Sequence, residues 1–341
     1  MNRADSIGSV LSHYSHPPTS IQPLTQAGGF SGARLWRVIT ADGDWCLKAW
    51  PPRPDLETQL TRMHDWMRQG RAGGLDYIPR IRRTRSGGTL VWTGEWAWDM
   101  SEWMPGAPVA DAEASDAEIS AACLALARLH RVWRRGGAAR GLSVAVQRRL
   151  RRLADLPDLL NFPEPNPNVH GGQGREIPGH EIHGYGPTLN AIAELLPACR
   201  RRAERELAAL AFREFELHPC LADVWRDHVL LTDGEVTGII DFGAARMDHP
   251  SVDLARLLGS LTCQPARFHI GITAYRQDSP LSGFDEQLVY LLDATGIVAA
   301  AMNWLDWLTP GRRSFDDRAA VQRRLEWTLG RLRQLHADGW N

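Results

Sequence analysis

Leu221-Ala222-Asp223-Val224-Trp225-Arg226-Asp227-His228 runs through Val229-Leu230-Leu231-Thr232, Asp233-Gly234 and Glu235-Val236-Thr237-Gly238-Ile239-Ile240 to Asp241-Phe242-Gly243. The two apolar runs flank an Asp-Gly pair, and a two-residue Asp-Gly turn in that setting predicts a β-hairpin. Residues equidistant from the turn should pair, which sets Asp227 opposite Ile240 and His228 opposite Ile239. Asp241 then leaves the hairpin beside His228, and Asp223 lies a few residues upstream. Carboxylates gathered at one hairpin mouth repel one another unless a cation or a substrate proton offsets them. The plainer alternative is that Asp227 is solvated and Asp223 caps a turn.

Composition narrows what such a cluster can serve. The chain has 341 residues, 39 of them basic and 40 acidic, and 43% are hydrophobic. Near-zero net charge argues against a nucleic-acid binder that relies on a global basic surface. The hydrophobic share fits a globular protein rather than a disordered one. No apolar run approaches the ~18 residues that a membrane span requires. The segment 1–18 lacks the basic start and apolar core of a signal peptide. Five scattered cysteines without a CxxC pair fit reduced thiols and a cytoplasmic location. Length suggests about two domains. Among the 39 basic residues only Lys48 is a lysine.

From about Ile21 to Trp103 the chain reads as strands with one helix. Residues 33–40 and 45–50 form an expected hairpin about Asp42-Gly43. Leu56, Leu60, Met63 and Met67 recur at helical spacing. Apolar runs 89–93 and 96–103 complete a small sheet, and residues 1–103 are expected to form an N-terminal lobe. Residues 104–341 read as a larger, mainly helical lobe, with helices expected over 114–135, 142–160, 189–216 and from 287 onward. Between two of them, 161–187 is rich in Pro, Gly, Asn and His and reads as a flexible loop.

With these residues in view, the segment 221–243 resembles the catalytic core of the aminoglycoside phosphotransferase and choline kinase family. Pro250-Ser251-Val252-Asp253-Leu254-Ala255-Arg256 is similar to that family's helix after the metal loop, whose Asp braces the catalytic loop. Leu126-Ala127-Arg128-Leu129-His130 resembles the helix that opens the large lobe. The resemblance implies an α+β, bilobal, protein-kinase-like fold and transfer of the γ-phosphate of ATP to a hydroxyl of a small-molecule acceptor. It implies Asp223 as catalytic base, Asp241 as ligand of Mg²⁺ and Lys48, on the third strand, as a phosphate contact. Gly28, Gly29, Ser31 and Gly32 would form the nucleotide-covering turn. Glu57 is the only glutamate between Lys48 and Gly94, and is equally an ion-pair partner for Lys48 or a helix-dipole acid. Glu102, Trp103 and Met104 would frame the adenine at a hinge.

Two departures qualify this expectation. Leu221-Ala222 stands where the family commonly has His-Gly, and His228 stands at the metal-binding asparagine. Imidazole suits Mn²⁺ better than Mg²⁺, so either His228 or Asp227 completes the metal site, or the second metal is lost. The sequence therefore leaves two functions open, a small-molecule kinase and a nucleotide-binding pseudokinase with a regulatory or scaffold role. Pro250 follows Asp241 by only nine positions, too few for a long peptide-docking loop. Trp225, Trp304 and Trp307 are candidates for an acceptor pocket, and Asp306 for a cationic acceptor. No nucleic-acid or membrane partner is expected, and the sequence sets no oligomeric state.

Overall fold

The computed structural model describes residues 3–24, 32–110, 113–155, 185–308, 315 and 317–337. The chain packs as two units, one of residues 1–138 with 218–281 and one of residues 139–217 with 282–341, so that Trp103 falls inside the first.

The first unit holds a five-stranded antiparallel sheet in the order β1-β2-β3-β5-β4. Its strands are β1 (Pro18–Pro23), β2 (Arg34–Thr40), β3 (Gly43–Trp50), β4 (Val91–Thr93) and β5 (Trp96–Glu102). Alternation along β3 divides the sheet's two faces. Leu47 and Ala49 join Val38, Trp98 and Met100 in a core that α1 (Arg3–Leu11) covers with Val10 and Leu11. Lys48 and Trp50 point to the other face, where α2 (Leu56–Ala72) buries Leu60, Met63, His64 and Met67. Helix α1 was not expected from the sequence, although Ile7, Val10, Leu11 and Tyr14 carry its spacing.

The remainder of this unit is mainly helical. It contains α3 (Asp116–Arg135), opened by a Ser115–Glu118 capping box that satisfies two otherwise unpaired amides. Beyond it lie the hairpin of β9 (Val229–Thr232) and β10 (Glu235–Ile239), then β11 (Arg246–Asp248) and two further helices, Ser251–Leu261 and Phe268–Arg276. Asp233 and Gly234 both have positive φ, 51° and 82°, as the tight turn between β9 and β10 requires. The register differs from expectation by one residue. Val229 pairs with Ile239, and the pairing shifts between Val236 and Gly238. Thr237 is the extra residue, its hydroxyl donating to the Pro105 carbonyl at 2.9 Å. His228 consequently meets Ile240, whose amide donates to its carbonyl at 2.9 Å, and Asp227 sits in a 3₁₀ turn (Arg226–His228) rather than opposite Ile240.

In the second unit, a helix of residues 186–208 ends short of the expected 216. Glu214–Cys220 is a strand instead, because Phe215 and Leu217 alternate with exposed glutamates at period two. Residues 185–187 belong to the start of that helix rather than to the expected loop; 161–184 lie outside the described residues. The helix Gly283–Trp307 is long and apolar enough by composition to cross a membrane, against the expectation that no run approaches that length. Of its most apolar window, 67% is buried within the protein, as in a core helix. Trp304 and Trp307 meet edge to face there, and Asp306 is ion-paired with Arg152 at 3.2 Å.

All five cysteines are free thiols. His218, in the strand that enters the first unit, is 3% exposed. Burial above all, together with neighbouring His130, pulls its imidazole from the usual 6.5 down to about 3. The folded protein thus binds fewer protons than the unfolded chain between those values. Stability is intact above pH 6.5 and falls as pH drops through the window. Replacing His218 with Asn should remove up to one proton, ~1.4 kcal/mol per pH unit, from the pH dependence of unfolding. Denaturant melts across that range measure it.

Candidate active site

The segment after Cys220 is fixed from below by a buried carboxylate. Asp253, fully buried near the start of the helix Ser251–Leu261, accepts the amides of Leu221 and Ala222 at 2.6 Å each. His130 on α3 adds a third bond from Nε2 at 3.0 Å. Its Nδ1 accepts from the Tyr275 hydroxyl at 2.7 Å, because a carboxylate partner leaves the ring proton on Nε2. These bonds hold Ala222 at φ +64°, a left-handed conformation that glycine adopts more readily. His130, Cys220 and Asp253 bring three metal-type donors within 4.8 Å, but the Cys220 thiol is engaged with the Asp248 carbonyl at 3.3 Å. Each group in that trio is already hydrogen-bonded within the protein.

Asp223 follows this held turn. Its Oδ1 accepts Nε of Arg256 at 2.7 Å, and among the described residues Oδ2 accepts no hydrogen bond. Arg256 also lies 5.3 Å from the Trp225 ring centroid. Arg256 ends the run 250–256, and nothing local in that run signals its contact with Asp223.

Lys48 and Asp241, 193 positions apart in sequence, meet at 2.9 Å between Nζ and Oδ1. Burial pushes the Asp241 carboxyl up, but the Lys48 ammonium, the His228 ring and the Gly243 amide outweigh it and hold the group at about 2. His228 donates from Nδ1 to the Asp223 carbonyl at 3.0 Å, and its Nε2, which carries the lone pair when the ring is neutral, lies 3.8 Å from the other Asp241 oxygen. A nitrogen and a carboxylate therefore face each other across a gap that a divalent cation fits. Asp227 is exposed on its 3₁₀ turn, and Asp227, His228 and Asp241 do not bring three donor atoms within 4.8 Å of one another.

Other expected residues lie apart from this group. Glu57 is exposed in the first turn of α2 and forms no ion pair with Lys48, which pairs with Asp241 instead. The Glu102 carboxylate is ion-paired with Arg80 at 2.8 Å, and the Trp103 ring lies beneath the Arg37 guanidinium at 4.8 Å. Met104 is buried, and a Cβ added to Gly238 would come within 2.8 Å of its own Cβ. Gly32 turns at φ +72° ahead of β2, whereas Gly28, Gly29 and Ser31 lie outside the described residues. The sequence reading missed the buried group His64, Asp99 and Trp50 beneath Lys48. Its signal was a charged residue inside the apolar run Trp96–Met100.

The phosphotransferase enzyme family model matches residues 24–286, most of the chain and all of this site. The chain belongs to the phosphotransferase enzyme family. No curated protein matches it by sequence. Among solved structures, a spectinomycin phosphotransferase bound to ADP and spectinomycin is 10% identical, with 98% of each chain covered and a TM-score of 0.69. A microcompartment-associated aminopropanol kinase is 16% identical over 99% of each chain, with a TM-score of 0.61. An ethanolamine kinase from Plasmodium vivax is 11% identical, covering 98% of this chain and 83% of its own, with a TM-score of 0.54. At these identities the likeness is one of fold. The α+β architecture expected from the sequence is the architecture these proteins share.

Ala222 supplies a direct check on the held turn. An L-residue in the left-handed region costs ~1–2 kcal/mol, partly offset in glycine by its greater unfolded-state entropy. Ala222→Gly should therefore stabilise this phosphotransferase by about 0.5 kcal/mol or more, whereas Asp253→Ala, which unpairs two backbone amides and the buried His130 Nε2, should destabilise it by at least ~3 kcal/mol. Chemical denaturation reads both.

Proposed function

We propose that this phosphotransferase moves the γ-phosphate of ATP to a hydroxyl of a small molecule, with Asp223 as base, Asp241 as metal ligand and Lys48 on the phosphates. The Lys48–Asp241 pair carries the reading. A lysine on the sheet and a carboxylate after the hairpin need a reason to meet, and a phosphate chain held between ammonium and metal supplies one. Solved neighbours support the nucleotide and the divalent ion, since an amicoumacin kinase of similar fold holds AMP-PNP and Ca²⁺. Other neighbours act on small molecules, spectinomycin and aminopropanol among them.

Asp241 and the Nε2 of His228 would hold the cation, which when bound would neutralise nucleotide phosphate charge. The low pKa of Asp241 keeps it an anion at every physiological pH. Asp223 orients the acceptor hydroxyl and takes its proton at Oδ2, while Arg256 on Oδ1 keeps the carboxylate aimed. Lys48, 14% exposed, supplies a positive charge to which little water competes. The five free thiols and the demand for ATP fit a cytoplasmic protein. His228, a nitrogen donor where an oxygen would suit Mg²⁺, favours the second reading of a nucleotide-binding pseudokinase.

Three measurements test these assignments. Asp223→Asn should lower phosphate transfer by ~10²–10⁴ and leave ADP affinity unchanged; full activity would remove Asp223 as base. Lys48→Arg should weaken nucleotide binding or turnover at least ~10-fold, about 1.4 kcal/mol, although charge is kept. Turnover across a panel of hydroxylated metabolites should be faster with Mn²⁺ than with Mg²⁺, and His228→Asn should reverse that order. ATP binding without turnover in either metal decides for the pseudokinase.

A further inference from the structure

The face of the sheet that carries Lys48 also carries a second acid. Asp99 on β5 lies directly across from Lys48 in the β3–β5 register, on the same face and 3% exposed. Such a carboxylate is a natural trap for a neighbouring ammonium. Lys48 nevertheless bonds to Asp241, not to Asp99. The difference lies in what else reaches Asp99. Its Oδ2 accepts Nε1 of Trp50 at 2.9 Å and Nε2 of His64 at 3.0 Å. His64, on α2 and 1% exposed, is steadied at its other nitrogen by the Thr89 hydroxyl at 2.9 Å.

Trp50 is more than a donor to this acid. Its ring centroid lies 4.0 Å from Lys48 Nζ, a cation–π contact. The far edge of the same ring packs on Gly243, where an added Cβ would come within 2.7 Å of it. One indole thus touches the ammonium that pairs with Asp241 and the glycine two residues after Asp241, and its tilt is fixed by Asp99. Helix α2, whose Glu57 does not reach Lys48, reaches this position through His64 instead.

We infer that His64, Asp99 and Trp50 form a positioning relay that aims Lys48 at the nucleotide phosphates: His64 and Trp50 both hold Asp99 at Oδ2 and fix its orientation so that it does not capture the ammonium, and the fixed Trp50 ring carries Lys48 to Asp241. None of the three need touch substrate; they act through Lys48. The inference rests on the nucleotide reading of Lys48.

The test uses ADP titrations by calorimetry on the full chain, at a temperature where melts show every variant folded. Lys48→Met should weaken ADP binding; if it does not, the nucleotide reading of Lys48 fails and the relay falls with it. With that effect established, His64→Leu should weaken ADP binding about tenfold, the size typical of losing a group that orients a ligand-binding residue. Adding Asp99→Asn to His64→Leu should recover most of that loss, because the neutral amide no longer competes for Lys48. A merely structural role predicts that the second change, which relieves a buried unpaired charge, restores stability in the melts but not ADP affinity. Wild-type affinity in His64→Leu, or no recovery in the double variant, would overturn the relay. Should His64→Leu fail to fold, Trp50→Phe decides. It keeps an aromatic ring and loses only the Nε1 donor and the second ring, and wild-type ADP affinity in that variant would equally overturn the relay.

Discussion

A carboxylate with no exposure to water organises the first unit. Asp253 would cost several kcal/mol to bury as an isolated ion, and the cost is offset because three donors converge on it, two of them backbone amides of the segment that carries Asp223. The consequence runs in both directions. The acid is tolerated only while Leu221 and Ala222 keep their turn, and the turn keeps its left-handed residue only while the acid is there. His130 extends the coupling to α3, and Tyr275 extends it to the helix Phe268–Arg276. Asp223 therefore follows directly on a braced stretch of backbone, although its own side chain is half exposed. That pairing of a rigid base and an open carboxylate is what positioned proton transfer requires.

Asp99 repeats the same physical device on the sheet. Asp223 and Lys48 each have beneath them a buried Asp that accepts an imidazole Nε2 and at least one further donor, and each of these histidines comes from a helix, α3 for Asp253 and α2 for Asp99. The two braces act on different objects. Asp253 fixes backbone and so places Asp223 directly, whereas Asp99 fixes an indole and acts on Lys48 through a ring contact. A backbone brace resists displacement more firmly than a ring contact does, so Lys48 is the more adjustable of the two. A residue that must follow phosphate groups gains from that freedom, while a base that must meet one hydroxyl does not.

What could be read from sequence alone divides along the range of the interactions. The β9–β10 hairpin was legible because Asp233-Gly234 encodes its turn locally. Its register was not, because the bulge at Thr237 answers to the Pro105 carbonyl and to the close approach of Gly106, whose added Cβ would meet Thr237 Oγ1 at 2.4 Å. Counting glutamates after Lys48 points to Glu57, whereas the helix reaches the sheet about two turns later, with His64. The strand Glu214–Cys220 was lost inside a helical reading because only four or five residues show its alternation. Asp223, Asp241, Lys48 and Asp253 were legible as a set because a resemblance supplied their association; their distances and the contacts of Arg256, His64 and Trp50 are tertiary facts.

The single lysine among 39 basic residues has a geometric reason. At position 48 the charge meets one carboxylate oxygen at 2.9 Å and one aromatic face at 4.0 Å, with 14% exposure to water. An ammonium has three donors on a compact head, and these two partners with a remaining opening suffice for it. A guanidinium carries five N–H groups in a plane. Beside one oxygen and one ring several of those would be buried without acceptors, at a cost of ~1–3 kcal/mol for each. Its fork would also reach past Asp241 Oδ1 unless the strand moved, and the strand is held by β2 and β5 along its whole length. Elsewhere arginine is well served. Arg80 spans both oxygens of Glu102, and Arg82 reaches both oxygens of Asp42. At Arg37 and Arg256 a guanidinium likewise meets one carboxylate oxygen and one ring, but at 37% and 39% exposure water serves its remaining N–H groups, whereas at position 48, 14% exposed, they would stay unpaired.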